Sequence, residues 1–451
     1  MKTIFITISR GALIRNFFQT KVIDHLTKHV RVVVLTPYVN HPVFKNYKHP
    51  NLIFEPLTLS THRRFQSLFT ELEKAAVFNK TVQIRYKYRV TGRDPSQFLY
   101  VLRIVFANIL SFIPWLREII RFFDFYINPE KENDYLFEKY KPNLVFNTAA
   151  GDNSMLKGAG RFGIKTVDMP KSWDVLSKRL FSFKAKHLLV WNVFMKEQAI
   201  KFHGYKDNEI IVTGIPQFDF YLQKKRLLTR EEFCRKFNLN PSKKIILYGS
   251  TGGNCCFEED YIKLLNNYIE KKKIPNTQIL IRPHIGYKDD LERFYFARKL
   301  PSIVLDESGK RDETFRDGWD TSEEYVDTLF NSLHHADVSI NIASTLTLDA
   351  IACDTPVINI NFDIRENLSP HWSTKRLFLS DYIQEIVKQD ATWVCESEKA
   401  FLSTLKHLLS DPSVKYDKKE GQKDIVDRLM YKLDGRSNER ITRALISLAG
   451  K

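Results

Sequence analysis

Four short stretches of the 451-residue chain combine glycine, hydroxyl, arginine and histidine residues in orders suited to holding phosphate. The first runs from Ser9-Arg10-Gly11 to Arg15-Asn16 and sets a close backbone turn among cations. The second is Tyr248-Gly249-Ser250-Thr251-Gly252-Gly253-Asn254, whose glycines allow close backbone approach and whose hydroxyls are neutral donors. In the third, Ile281-Arg282-Pro283-His284, the guanidinium can fork onto a phosphate. The imidazole of His284 can bond to a diphosphate or protonate a leaving phosphate. The fourth runs from Asn341 to Ala350, where Ser344 or Thr345 is a natural helix cap beside free N–H groups. No G-x-G-x-x-G follows the first apolar run, which disfavours a tightly held NAD or FAD, and no Gly-Lys-Ser/Thr completes a Walker A loop.

These stretches need elements to hold them, and the chain supplies short aliphatic runs alternating with amphipathic segments. In the first half the runs are 4–8, 30–35, 52–54, 144–146, 165–167, 187–191 and 210–212; in the second they are 244–248, 278–281, 302–305, 338–341, 356–360 and 392–395. Most are nearly continuously apolar, as strands covered on both faces must be. Such alternation predicts parallel sheets built from βα units. Two successive sets predict an α/β protein with two Rossmann-like domains: 1–215, carrying a helical insertion at about 60–135, and 216–417. A terminal helical stretch, 418–451, is expected to fold back on the first domain. All four phosphate-type stretches then fall just beyond strand ends, where open α/β sheets bind ligands.

The net charge is +16, which favours an anionic partner. No zinc-finger, RNP-like or P-loop pattern points to nucleic acid. Five cysteines without metal-type spacing, and a first apolar run too short for a signal peptide, predict a cytoplasmic protein. Residues 98–115 are apolar and aromatic but interrupted by Arg103, Asn108 and Pro114, so a membrane span is not expected. A buried helical insertion is the plainer reading. The other is an amphipathic helix peripheral to an anionic membrane, flanked by Arg85, Lys87, Arg89, Arg93, Arg117 and Arg121.

The chain resembles GT-B glycosyltransferases of bacterial surface and capsular polysaccharide assembly, and is similar to the CDP-glycerol glycerophosphotransferases of teichoic-acid synthesis. The stretches that carry the resemblance are Lys171-Ser172-Trp173-Asp174, Val212 to Asp219, Arg282-Pro283-His284, and Ala343-Ser344-Thr345 through Pro356-Val357, with Ile8-Ser9-Arg10-Gly11. It implies two domains facing across a cleft, with the nucleotide of a UDP- or CDP-linked donor against the second. Gly214, Gly249, Ser250, Thr251 and Gly252 would border the nucleotide. Arg282 and His284 would face the phosphates, and Ser344 and Thr345 would hold them. Related enzymes commonly have His followed by Pro, whereas this chain has Pro283-His284. The acid that often holds a uridine ribose has only Asp349 as a loose counterpart.

The first domain would bind a glycan or lipid-linked acceptor, with Arg10, Gly11 and Asp174 on the acceptor or phosphate side. It would also supply the base, for which Asp152 is preferred over Asp174 and His25. No Asp-x-Asp motif occurs, so metal independence and no tightly bound cofactor are expected. The implied activity is transfer from a nucleotide-sugar to a cell-surface polysaccharide or glycolipid. Glycerophosphate transfer, sugar-nucleotide 2-epimerisation and a basic, non-enzymatic scaffold are the alternatives.

Overall fold

The computed structural model describes residues 1–60, 63–87, 97–148 and 153–450. Among the described residues, thirteen strands form two wholly parallel sheets. The first contains β1 (Thr3–Thr7), β2 (Arg31–Thr36), β3 (Leu52–Pro56), β4 (Leu144–Asn147), β5 (Lys165–Asp168), β6 (His187–Val190) and β7 (Ile210–Val212), in the order β3-β2-β1-β4-β5-β6-β7. The second contains β8 (Lys244–Gly249), β9 (Thr277–Arg282), β10 (Ile303–Leu305), β11 (Val338–Asn341), β12 (Val357–Ile360) and β13 (Trp393–Cys395), in the order β10-β9-β8-β11-β12-β13. Every residue of β1, β4, β9, β11 and β12 is buried, because helices cover both faces. β-branched residues suit such doubly covered strands, as in Val32, Val33 and Val34, which pair with Ile4, Phe5 and Ile6.

Strand order reverses at β1/β4 in the first sheet and at β8/β11 in the second. A parallel sheet opens a crevice at such a point, because the flanking loops turn to opposite faces. The stretches after β1, β8 and β11 therefore lie where the topology itself makes room.

The five helices Gln66–Ala76, Lys80–Lys87, Gln97–Ser111, Leu116–Ile127 and Asp134–Tyr140 stand between β3 and β4. The plainer expectation, a buried insertion, does not hold for Gln97–Ser111, in which Ala107 alone is buried. Arg121 is a correction in the opposite sense. It is buried, donating to the Phe181 and His203 carbonyls, and does not flank an exposed face. At the other end of the chain, helix Ser437–Ala449 packs on helix Val22–Thr27 of the first domain. Asn438 Nδ2 donates to the Thr20 carbonyl at 2.8 Å, and Asp219 accepts from the Ser437 and Asn438 N–H groups.

Candidate active site

The two domains meet through the loop that follows β10. Asp317 accepts from Gly11 N at 2.9 Å and from Ala12 N at 3.3 Å. Arg316 N donates to Tyr38 Oη, and His41 Nε2 lies 2.9 Å from Asp312. Arg15 bonds to Gln217 and stacks over Trp319. Gly11 fits closely there, since a Cβ would lie 3.0 Å from both the Trp319 carbonyl and its Cβ and would press them apart. The anion expected beside Gly11 is thus a carboxylate of the protein's own second domain.

The glycine-rich turn after β8 also encloses an internal acid. Glu258, fully buried, accepts from Ser250 Oγ at 2.8 Å, from Thr251 N at 3.0 Å and from Tyr248 Oη at 3.2 Å. Burial pushes its carboxyl up to about 7, against the pull of the Thr251 hydrogen bond and Arg293. Thr251 Oγ1 bonds to the Ile342 carbonyl, tying this turn to the one after β11. The donors assigned to a phosphate at Ser250 and Thr251 therefore brace the loop. Gly249 makes room for Leu346, whose Cδ2 would lie 2.0 Å from an added Cβ. Gly252 has φ +65° and carries Tyr287 against its Cα.

Arg282 requires the same correction. It is buried, 2.5 Å from Asp306 Oδ2, and its guanidinium lies over the Tyr325 ring. A guanidinium satisfied in this way braces the loop, although it also lines the small cavity beside His284. Gly214 sits against the C-terminal helix, where a Cβ would meet Ser437 Oγ at 2.5 Å. His25 lines a shallow hollow with Glu439 and Arg443, apart from the interdomain loop. Asp349 is buried and accepts from Tyr221 Oη at 2.5 Å, so it is not available to a ribose. Asp152 lies outside the described residues.

His284, Ser344 and Thr345 keep polar groups at the surface. His284 Nδ1 accepts from Gly286 N at 3.1 Å, which leaves the ring proton on Nε2 in the neutral form. Burial lowers its pKa, so the ring is neutral at pH 7 and Nε2–H is a donor. The ring packs edge-on against Tyr287 and lines a cavity of about 100 Å³ with Lys288 and Arg311. Ser344 Oγ accepts from Leu346 N, and exposed Thr345 begins helix Leu346–Ala352 without a side-chain cap.

From the first domain, Lys178 pairs with Asp174 and lies in electrostatic reach of Tyr287. Burial pushes the Asp174 carboxyl up, but the charge and hydrogen bond of Lys178, with Ser172, outweigh it and hold the group below its ordinary range. Lys171 interacts with Arg10, Asp317 and Asp174. Arg10, Lys171, Asp174 and Lys178 thus form one charged neighbourhood, which reaches Tyr287 of the second domain through Lys178.

Beside it opens a cavity of about 500 Å³, lined by Ser9, Arg10, Arg63, Glu73, Asp168 and Arg316 among others. Asp168 ends β5 and is 2% exposed. Its Oδ1 accepts from Asn147 Nδ2 at 2.9 Å, and Asn147 Oδ1 accepts from Thr7 Oγ1 at 2.8 Å. The terminal residues of β1, β4 and β5 are thereby linked in one chain. Burial pushes the Asp168 carboxyl up to about 7, despite the Asn147 hydrogen bond. The cavity wall is rigid: Arg63 lies 2.6 Å from Glu73 and 2.8 Å from Asp124, while buried Lys157 contacts Asp124 at 2.8 Å and Glu130 at 2.6 Å.

Sequence reasoning missed Asp168, Glu258 and Asp317. Asp168 had a usable signal, an acid at a strand's carboxyl end, but the apolar run was read as ending at Val167. Glu258 and Asp317 act through tertiary contacts and gave no such signal.

Comparison with solved structures gives the same two-domain architecture. A glycosyltransferase from Rickettsia africae shares 12% identity and a TM-score of 0.54, over 99% of this chain and 98% of the other. A UDP-GlcNAc 2-epimerase from Neisseria meningitidis, bound to UDP-GlcNAc, gives 13% and 0.56, over 99% and 100%. The wall teichoic acid polymerase TagF gives 11% and 0.50, over 99% and 88%. The fold is therefore that of the GT-B group, as the resemblance implied. No curated protein matches the sequence significantly. A family model does, over residues 147–447, which include β5 to β13, the Trp173-Asp174 stretch and the whole second domain. The chain belongs to the CDP-glycerol:poly(glycerophosphate) glycerophosphotransferase family, and is a transferase that uses a nucleotide-linked donor.

Proposed function

We propose that the chain moves a polyol phosphate from a CDP-linked donor, or a sugar from a nucleotide-sugar, onto a hydroxyl of a cell-envelope polymer. The observation that carries this reading is the pairing of two unlike surfaces at opposed strand ends. One is the second-domain cavity lined by His284, with Ser344 and Thr345 following β11 of the same sheet; the other is the cavity lined by Asp168. In this reading the donor phosphates lie against the second domain and the acceptor enters the cavity. The acceptor oxygen bonds to the transferred unit as its proton passes to Asp168. The bond to the nucleotide phosphate breaks, and its electron pair leaves with that phosphate. The neutral His284 Nε2–H donates to the departing oxygen.

A carboxyl near 7 suits a base at neutral pH better than Asp174, which Lys178 keeps ionised and neutralised. The family description favours glycerophosphate transfer. The reading locates the reaction on the cytoplasmic side of the envelope, in keeping with five unbridged cysteines.

The test is a panel of CDP-, UDP- and GDP-linked donors, followed by nucleotide release with and without a glycan or polyol-phosphate acceptor. Acceptor-dependent CMP release from a CDP-polyol supports phosphate transfer; release of a nucleoside diphosphate supports sugar transfer. Conversion of a UDP-sugar to its 2-epimer, or no saturable nucleotide binding, would overturn both.

A further inference from the structure

The loop between β10 and helix Glu323–His335 belongs to the second domain by sequence but is seated on the first. Phe315, 1% exposed, stands edge-on to Tyr38 with ring centroids 4.6 Å apart, and lies 4.7 Å from the His41 ring. Asp312 pairs with His41, Asp317 takes two N–H groups of the loop after β1, and the Thr321 carbonyl accepts from Gln19 Nε2 at 2.8 Å. The loop is also closed on itself. Phe315 N donates to the Asp312 carbonyl at 3.1 Å, and Gly318 N to the Phe315 carbonyl at 2.8 Å. Arg311 Nη1 donates to the Ile285 carbonyl at 2.9 Å, which ties the turn to the loop that carries His284.

Arg316 sits between two of these anchors, Phe315 and Asp317. Its N–H is committed to Tyr38 Oη at 3.1 Å, so the backbone is fixed while the exposed side chain lines the cavity shared with Arg10 and Asp168. Among the described residues that line this cavity, Arg316 alone comes from the second domain. Its guanidinium has no carboxylate partner among the described residues. Arg63 in the same wall differs, since Asp124 and Glu73 occupy its Nε and Nη2. An arginine presents a planar fork that matches a phosphate or carboxylate bidentately. Anchoring both of its neighbours beforehand removes part of the ordering cost that a flexible side chain incurs on binding.

We infer that Arg316 is an acceptor-binding residue which the second domain delivers to this cavity, and that Asp317 positions it by fastening the loop to the first domain. The role toward the acceptor rests on the transfer reading, whereas the seating of the loop does not. The test is equilibrium binding of a fluorescent short poly(glycerophosphate), the polymer in the family's description, to the full chain at fixed salt. Arg316→Gln should weaken binding about tenfold or more with an unchanged thermal midpoint, and Arg316→Lys should recover part of the loss. Lys406→Gln, at an exposed helical lysine outside the cavity, should bind as the wild type does. Hydrogen exchange of segment 9–20 should be slow in the wild type and in Arg316→Gln, and faster in Asp317→Ala, which should also bind the polymer weakly. The polymer should slow that exchange further in the wild type but not in Arg316→Gln, because a ligand that bridges the domains stabilises their contact. No binding by the wild type, equal binding by Arg316→Gln, an equal loss in Lys406→Gln, or exchange untouched by Asp317→Ala would overturn the inference. Binding that depends on Arg316, without transfer from any donor, would instead count against the transfer reading alone.

Discussion

Replacing Asp168 by Asn should make the protein more stable at alkaline pH and disable it at every pH. The carboxyl is 2% exposed, and burial raises it from 3.8 to about 7. Below pH 4 it is protonated in both folded and unfolded chains and contributes no difference. Between pH 4 and 7 the unfolded chain releases the proton while the native state keeps it, so stability falls as pH rises. Above pH 7 the cost is constant. A shift of about 3 units at about 1.4 kcal/mol each gives about 4 kcal/mol, an upper value because the buried site can relax. Asn cannot ionise and can keep a hydrogen bond with Asn147, so the variant escapes this cost. Urea denaturation at pH 4.5 and pH 8 measures it directly. The stability gain of the variant should be small at pH 4.5 and about 2–4 kcal/mol at pH 8. Loss of the base should lower turnover by about 10²–10⁴-fold without an equal change in donor binding. A gain that is the same at both pH values would refute the raised carboxyl. Unimpaired turnover would refute its role as base.

Lys157→Ala should cost about 2–3 kcal/mol, because it removes one of the two cations on the buried Asp124 carboxylate, leaving Arg63 alone, and opens a cavity where the lysine stem was buried; a urea-midpoint change worth under about 1 kcal/mol would contradict this. His284→Ala should depress turnover about 10²-fold or more, with a smaller change in donor affinity, since it removes one donor to the leaving phosphate. Because its lowered pKa keeps the ring neutral, that loss should stay level above pH 7; wild-type kinetics would exclude His284 from the reaction. Metal independence is tested by initial turnover in chelator. Undiminished rates are expected, and strict restoration by Mg²⁺ would sink the expectation.

The sequence by itself determined the architecture. Thirteen apolar runs became thirteen strands, because a strand covered on both faces must be apolar throughout and so leaves a local signature. It also located the loops at strand ends, since glycine, hydroxyl and His-containing turns follow strands whose ends are legible. It could not tell which polar groups remain for a ligand. Ser250, Thr251 and Arg282 have the right chemistry, but Glu258 and Asp306 satisfy them within the fold. Gly11 meets Asp317 from the other domain, 306 residues away in sequence. Burial likewise separates Asp168 from Asp174: both are acids near strand ends, yet one is raised by desolvation and the other is held down by Lys178. Hydrogen-bond partners and desolvation arise from contacts between distant segments, so the tertiary structure alone separates the residues that brace a legible loop from those whose polar groups stay at its surface.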